Sequence, residues 1–241
     1  MVAAIIILLV MLIPKPFAEI VAFARDGIVV TIVVTISSYF LMLILGLFGG
    51  LGRMSKNKLV FGIATLYVEI VRGIPLLVQL MAWYFASPVI IQKIGVWLNI
   101  VPLINYRAEP IITAILAITV CYGAYMSEIV RAGIQSVPRG QTEAARSLGM
   151  SHVQAMRHIV LPQAFRVILP PMGNEFIALL KDSSLVSVVA VADLTRRGRE
   201  FMSAHFNPIE TWFMIALLYL IMTLVAARVV SFIEKKARYE K

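Results

Sequence analysis

The sequence predicts an all-α membrane protein built on five core transmembrane helices. Three observations carry that expectation. Of 241 residues, 60% are hydrophobic and only 15% charged, whereas a soluble domain holds about 45–50% apolar and about 25% charged residues. Five apolar runs come near or exceed the roughly 20 residues that cross a hydrocarbon core. The basic residues behind the net charge of +9 gather between those runs, as in loops on the cytoplasmic side of a membrane. In a soluble chain that charge would suggest nucleic acid. Here membrane lipid is the expected surrounding and no nucleic-acid partner is expected.

Residues 1–26 form an apolar segment and lead-in. Met1 to Ile13 is about half to two-thirds of a spanning length, and Pro14 and Pro16 break it. A short sixth span, an interfacial helix and a signal-like segment are open readings. Removal is not expected, because a basic start and a clean small-residue cleavage site are missing.

The clearest run is Ile28 to Leu51, followed by Arg53, Lys56 and Lys58. Gly46, Gly49 and Gly50 near its end permit close helix approach. The second run extends from Leu59 to about Ile91, broken by Glu69, Arg72 and Gly73-Ile74-Pro75. Glu69 and Arg72 are three residues apart and share a helix face, so an internal ion pair is expected, with a gating role as the alternative. Residues 92–109 read as an external excursion of no assigned role. The third run is Ile111 to Ile129, the fourth Val167 to Ala192 with polar interruptions, and the fifth Trp212 to Ile233. Residues 27–235 are expected to form the transmembrane domain, and 236–241 a basic cytoplasmic tail.

Five alternating spans put the loop at 53–58, the stretch from Arg131 to Arg166 and the tail on one side. The excess of Lys and Arg makes that side the cytoplasm. Arg196, Arg197 and Arg199 then fall outside. Either they meet an acidic partner there, or the span count near residue 190 is wrong.

The stretch between the third and fourth runs reads as a helical hairpin, 139–162. Arg139 to Leu148 follows Pro138 as a short helix, and Gly149 can take the left-handed conformation that ends it. Ser151 and Gln154 have the spacing of a capping box that starts a second helix. Pro162 is expected to stop or kink that helix. Such a hairpin is too polar for lipid, and it suits either a soluble docking partner or a plain connecting loop.

The stretch EAARSLGMSHVQAMRHIVLP resembles the EAA loop of bacterial binding-protein-dependent ABC importers. Glu143, Ala144, Ala145 and Gly149 match its E-A-A and G positions, with Ile159, Leu161 and Pro162 completing the pattern. Glu69 to Gln79 (EIVRGIPLLVQ), Glu128 to Ile134 (EIVRAGI), Gly173-Asn174-Glu175-Phe176 and Lys181-Asp182-Ser183 are similar to the polar amino-acid permeases of that family. The similarity covers about residues 27–235. It implies a type I ABC importer permease fold, a multi-pass place in the bacterial cytoplasmic membrane, and a polar amino-acid solute moved by alternating access. It implies several partners: a second permease subunit, two ATP-binding cassette subunits and an extracytoplasmic solute-binding protein. It also implies that Glu143, Ala144, Ala145 and Gly149 form a coupling helix on the ATPase, where ATP and magnesium reside. No cofactor is expected in this chain.

Charged groups within a span usually face a cavity or a partner. Asn174, Glu175, Lys181 and Asp182 of the fourth run, with Tyr125, Ser127 and Glu128 of the third, are the candidate solute contacts. Carboxylates would take an ammonium, while a lysine or helix N-terminus would take a carboxylate. The alternative is structural: Glu128 can simply pair with Arg131 one turn on.

No phosphate-binding G-x-x-x-x-G-K-[ST] loop is present, nor a G-x-S-x-G nucleophile elbow. His152, His158 and His205 lack metal-ligand spacing, and the single Cys121 excludes an internal disulfide. A transporter subunit rather than an enzyme is expected. An ion-coupled secondary carrier and a non-transporting membrane scaffold are the competing readings; copurification with an ATPase separates the first, and solute-stimulated hydrolysis the second.

Overall fold

A computed structural model of the chain describes residues 15–239. The expected apolar segment Met1 to Ile13 and the last two residues of the tail lie outside the described residues. The described chain is helical, joined by short connections. α1 (Lys15–Gly52) has 38 residues, about 57 Å at 1.5 Å per residue, so it projects well beyond a bilayer core. Buried Thr31 and Thr35 donate to the carbonyls one turn back, of Gly27 at 2.8 Å and Thr31 at 2.7 Å. This lets polar side chains sit in an apolar helix.

Asn57 caps α2 (Lys58–Gly73), its side-chain oxygen accepting from Leu59 N at 2.9 Å. α3 (Leu76–Met81) runs through one π-helical turn, Ala82–Ala86, into α4 (Ser87–Leu98), and a short α5 (Val101–Ile104) follows. α6 (Pro110–Gln135) is the central helix, capped by the Glu109 side chain. The hairpin comprises α7 (Arg139–Ser147) and α8 (His152–Ala155). A second π turn, Met156–Val160, leads directly into α9 (Leu161–Asp182). A 3₁₀ stretch, Ser183–Val189, then precedes α10 (Leu194–His205) and α11 (Pro208–Tyr239).

The main core centres on α6. Ala114, Ala117, Ile118, Tyr122, Met126, Val130 and Ile134 pack against Val34 and Met42 of α1, Leu80 of α3, and Ala164 and Leu179 of α9. The glycines of α1 permit this contact. A Cβ on Gly46 would collide with the Met126 side chain, and one on Gly49 with Ser127 Oγ. A second cluster joins Ile20 and Ala24 of α1 to Leu194 and Phe201 of α10 and to Met214 and Leu218 of α11. Outside both cores, Phe40, Phe48, Ile63 and Phe232 are all more than 60% exposed. That surface suits lipid rather than water.

Four helical stretches are long and apolar enough to cross a membrane: 16–52, 76–98, 110–135 and 208–237. α9 has the length, 22 residues or about 33 Å, but carries Arg166, Asn174, Glu175, Lys181 and Asp182. The second predicted run is split at Pro75 into α2 and the continuous stretch α3 to α4, which reaches Leu98, past Ile91, and ends at left-handed Asn99. The fourth is corrected at both ends. It begins at Leu161 rather than Val167, and the α-helix stops at Asp182 rather than Ala192. There Ser183 Oγ takes the Leu180 carbonyl at 2.8 Å and the backbone tightens; Ala190 is left-handed at φ 63°.

Of the two outcomes expected at Pro162, a stop is not seen: the helix continues through it. A π turn lies immediately before Leu161-Pro162, and another lies immediately before Ser87-Pro88. A proline removes one backbone donor and crowds the carbonyl four residues back. One wide turn there accommodates both effects without breaking the helix.

Candidate functional site

The hairpin is closed by two reciprocal backbone bonds. Met150 N donates to Ala145 O at 3.1 Å and Gly149 N to Arg146 O at 2.9 Å, a Schellman arrangement. Gly149 has φ 85°, while a Cβ there would meet nothing within 4 Å. Its requirement is therefore conformational rather than steric. Ser151 and Gln154 form both halves of the capping box. Ala145 is buried, whereas Glu143 and Ala144 are exposed. Leu148 and Val153, which sequence reasoning missed, are 85% and 73% exposed. These two apolar side chains stand out of an otherwise polar hairpin.

The second feature is a cavity of about 240 Å³ between α3, α6 and α9, lined by Leu76, Cys121, Tyr122, Tyr125, Glu175 and Asp182. The helix break at Gly73-Ile74-Pro75 places its α3 wall. Pro75 cannot donate to the Val71 carbonyl, and the nearly buried Gln79 amide compensates, donating to Val71 O and Ile74 O, each at 2.8 Å, and to Cys121 Sγ at 3.4 Å. Arg72, at the end of α2, lies with its guanidinium 5.0 Å from the centre of the Tyr125 ring, within cation–π range. It does not pair with Glu69, so the expected internal ion pair is absent among the described residues. Tyr122 donates to Asp182 Oδ2 at 2.8 Å, fixing that carboxylate where α9 tightens.

Of the candidate solute contacts, the structure brings Tyr125, Glu175 and Asp182 to one cavity. It does not bring Ser127 or Glu128 there. Ser127 is fully buried, donates to Gly123 O at 2.7 Å and fills the space opposite Gly49. Glu128 pairs with both Arg53 and Arg131, tying the first connection to α6. Asn174 and Lys181 are exposed and do not line the cavity. Leu76, Cys121, Tyr122 and Arg72 were not singled out as site residues. The signal available for Tyr122 was its place one turn before Tyr125.

Arg196, Arg197 and Arg199 are satisfied inside the chain. Arg196 and Arg197 hold Glu200 at 2.9 and 2.8 Å, Arg197 also pairs with Asp26 of α1, and Arg199 reaches Ser187 Oγ at 3.1 Å. The three arginines thus have partners within the chain, an arrangement that the two expected alternatives did not name. Arg196 first, then Arg197, holds the Glu200 carboxyl below the ordinary carboxylate range. Asp193 anchors the same helix, accepting from Arg196 N at 3.0 Å and from the Tyr219 hydroxyl at 3.2 Å.

Comparison with known proteins gives the same outline. The family described as binding-protein-dependent transport system inner membrane component matches residues 42–239. The glutamine transport system permease protein of Escherichia coli K12 is 35% identical over 196 residues, 81% of this chain and 84% of that one. The glutamate/aspartate import permease protein of the same strain is 34% identical over 220 residues, 88% of this chain and 86% of that one. A solved amino acid ABC transporter, crystallised with histidines, matches with TM-score 0.81 and 36% identity over 92% of this chain and 97% of that one. Neither a secondary carrier nor a scaffold is favoured by these likenesses. A central helix followed by a polar hairpin, a cavity lined by two carboxylates and these matches agree: the chain belongs to the binding-protein-dependent transport inner membrane components, the permease subunits of ABC importers.

Proposed function

We propose that this permease carries a polar amino acid across the bacterial cytoplasmic membrane by alternating access, and that the cavity beside α6 is where the solute pauses. One observation supports this most. Glu175 and Asp182 line one small cavity, and the Arg72 guanidinium lies beside it on the Tyr125 ring, so both signs of charge meet among apolar helices. Charge within a membrane protein is costly unless it has a partner. A zwitterion supplies both partners, its ammonium facing the carboxylates and its carboxylate facing Arg72.

The working assembly would pair two permease subunits, identical or homologous, with two ATP-binding cassette subunits that hold ATP and magnesium. An extracytoplasmic binding protein would deliver solute. The hairpin is the docking element, with Glu143, Ala144, Ala145 and Gly149 shaping it and Leu148 and Val153 giving it an apolar foot. It follows α6 in the chain and leads into α9 through a π turn, so its displacement reaches the two helices that carry most of the cavity.

Uptake by proteoliposomes containing the complex, the binding protein and internal ATP tests this. Glu175→Ala should lower amino-acid uptake while the complex still assembles and hydrolyses ATP. Wild-type uptake by that variant would remove the cavity from the pathway.

A further inference from the structure

We propose that the solute carries a second positive charge beyond its α-ammonium, making it an amino acid with a cationic side chain: two carboxylates, Glu175 and Asp182, line the cavity, and one guanidinium, Arg72, lies beside it on the Tyr125 ring. The inference rests on the reading of this cavity as the solute site and follows from a charge count. A neutral zwitterion consumes Arg72 and one carboxylate. The second carboxylate then has no counter-charge, because neither Glu175 nor Asp182 forms an ion pair among the described residues. Leaving it so among membrane helices costs several kcal/mol.

Lys181 does not close the balance. Arg72 is tied to the cavity through the Tyr125 ring, whereas Lys181 forms no ion pair with either carboxylate among the described residues. Asp182 is instead oriented by the Tyr122 hydroxyl at 2.8 Å, and its other oxygen accepts no hydrogen bond among the described residues. Tyr122 and Tyr125, with ring centres 6.2 Å apart, add faces that attract a cation. The volume of about 240 Å³ lies just under the roughly 300–1,000 Å³ of ordinary ligand pockets, which suits one amino acid and little more. An acidic side chain would add a third carboxylate to a site already in excess of them.

The test separates the permease from its delivery protein. Binding of radiolabelled L-arginine, L-glutamine and L-glutamate is measured on the solubilised permease–ATPase complex at neutral pH with no binding protein added. L-arginine should bind at least about tenfold tighter than L-glutamine, the effect of one charge-assisted hydrogen bond, and L-glutamate weakest. Glu175→Gln and Asp182→Asn should each narrow the arginine-to-glutamine ratio, while coelution of permease and ATPase on gel filtration reports that each variant is assembled. Equal binding of arginine and glutamine, or a ratio unmoved in both variants, overturns the cationic assignment and leaves the cavity as an amino-acid site. Failure of all three amino acids to bind a complex active in hydrolysis overturns the cavity reading itself.

Discussion

The Tyr122 hydroxyl and the Asp182 carboxylate meet at 2.8 Å, joining the middle of α6 to the last residue of α9. The bond fixes an acid at the point where an α-helix tightens into a 3₁₀ stretch. Tyr122→Phe removes only that donor. We expect an apparent KM for uptake raised several-fold, in keeping with about 1 kcal/mol for one hydrogen bond, with assembly unchanged. Transport titrations of wild type and variant check this.

Gln79→Leu keeps the bulk near Cys121 and removes the amide that serves two carbonyls at the α2–α3 break. Val71 O keeps the Ile74 N–H at 3.4 Å, so the loss falls mainly on Ile74 O and should destabilise the subunit by about 1–3 kcal/mol. A lowered melting temperature in detergent is the expected readout, and an unchanged one would show that water serves those carbonyls equally well.

Two glycines of neighbouring helices should behave oppositely. A Cβ at Gly49 collides with Ser127, whereas one at Gly62 meets nothing within 4 Å. Gly49→Ala should lower stability by about 1–3 kcal/mol through overpacking. Gly62→Ala should be neutral or stabilising by up to about 1 kcal/mol, through helix propensity alone. Parallel melting curves decide.

Glu200 gives a pH signature. Arg196 and Arg197 lower its carboxyl pKa in the folded chain, so it binds fewer protons folded than unfolded at mildly acid pH. Its stabilisation is full above the unfolded value of about 4.3 and is lost as pH falls through the lowered folded value. The melting-temperature advantage of wild type over Glu200→Gln should therefore be present at neutral pH and shrink below about pH 4.

Much of the fold was legible because its signals are local. Apolar runs marked the long helices, Gly149 marked a left-handed turn, and Ser151 and Gln154 marked a cap, each through neighbours in sequence. The hairpin was readable for the same reason. The cavity was harder, since its wall combines residues from three helices, and facing direction decides membership. Tyr125 and Glu175 line the cavity, while Asn174, adjacent to Glu175, does not. Glu128 looked equally suited to solute until Arg53, 75 residues away, was seen to share it with Arg131. The pairing of Arg197 with Asp26 spans 171 residues, so those arginines looked stranded in sequence.

The wide turn at Met156–Val160 has a geometric consequence for how force travels. Each residue of an α-helix advances the side-chain direction by about 100°, and a π turn inserts one residue's worth of rotation. The helix above and below that turn is consequently out of phase by about that angle, like two cranks keyed differently on one shaft. Removing a single residue there would swing the foot at Leu148 around the axis relative to Glu175, leaving every other contact within each segment intact while misdirecting the stroke between motor and cargo.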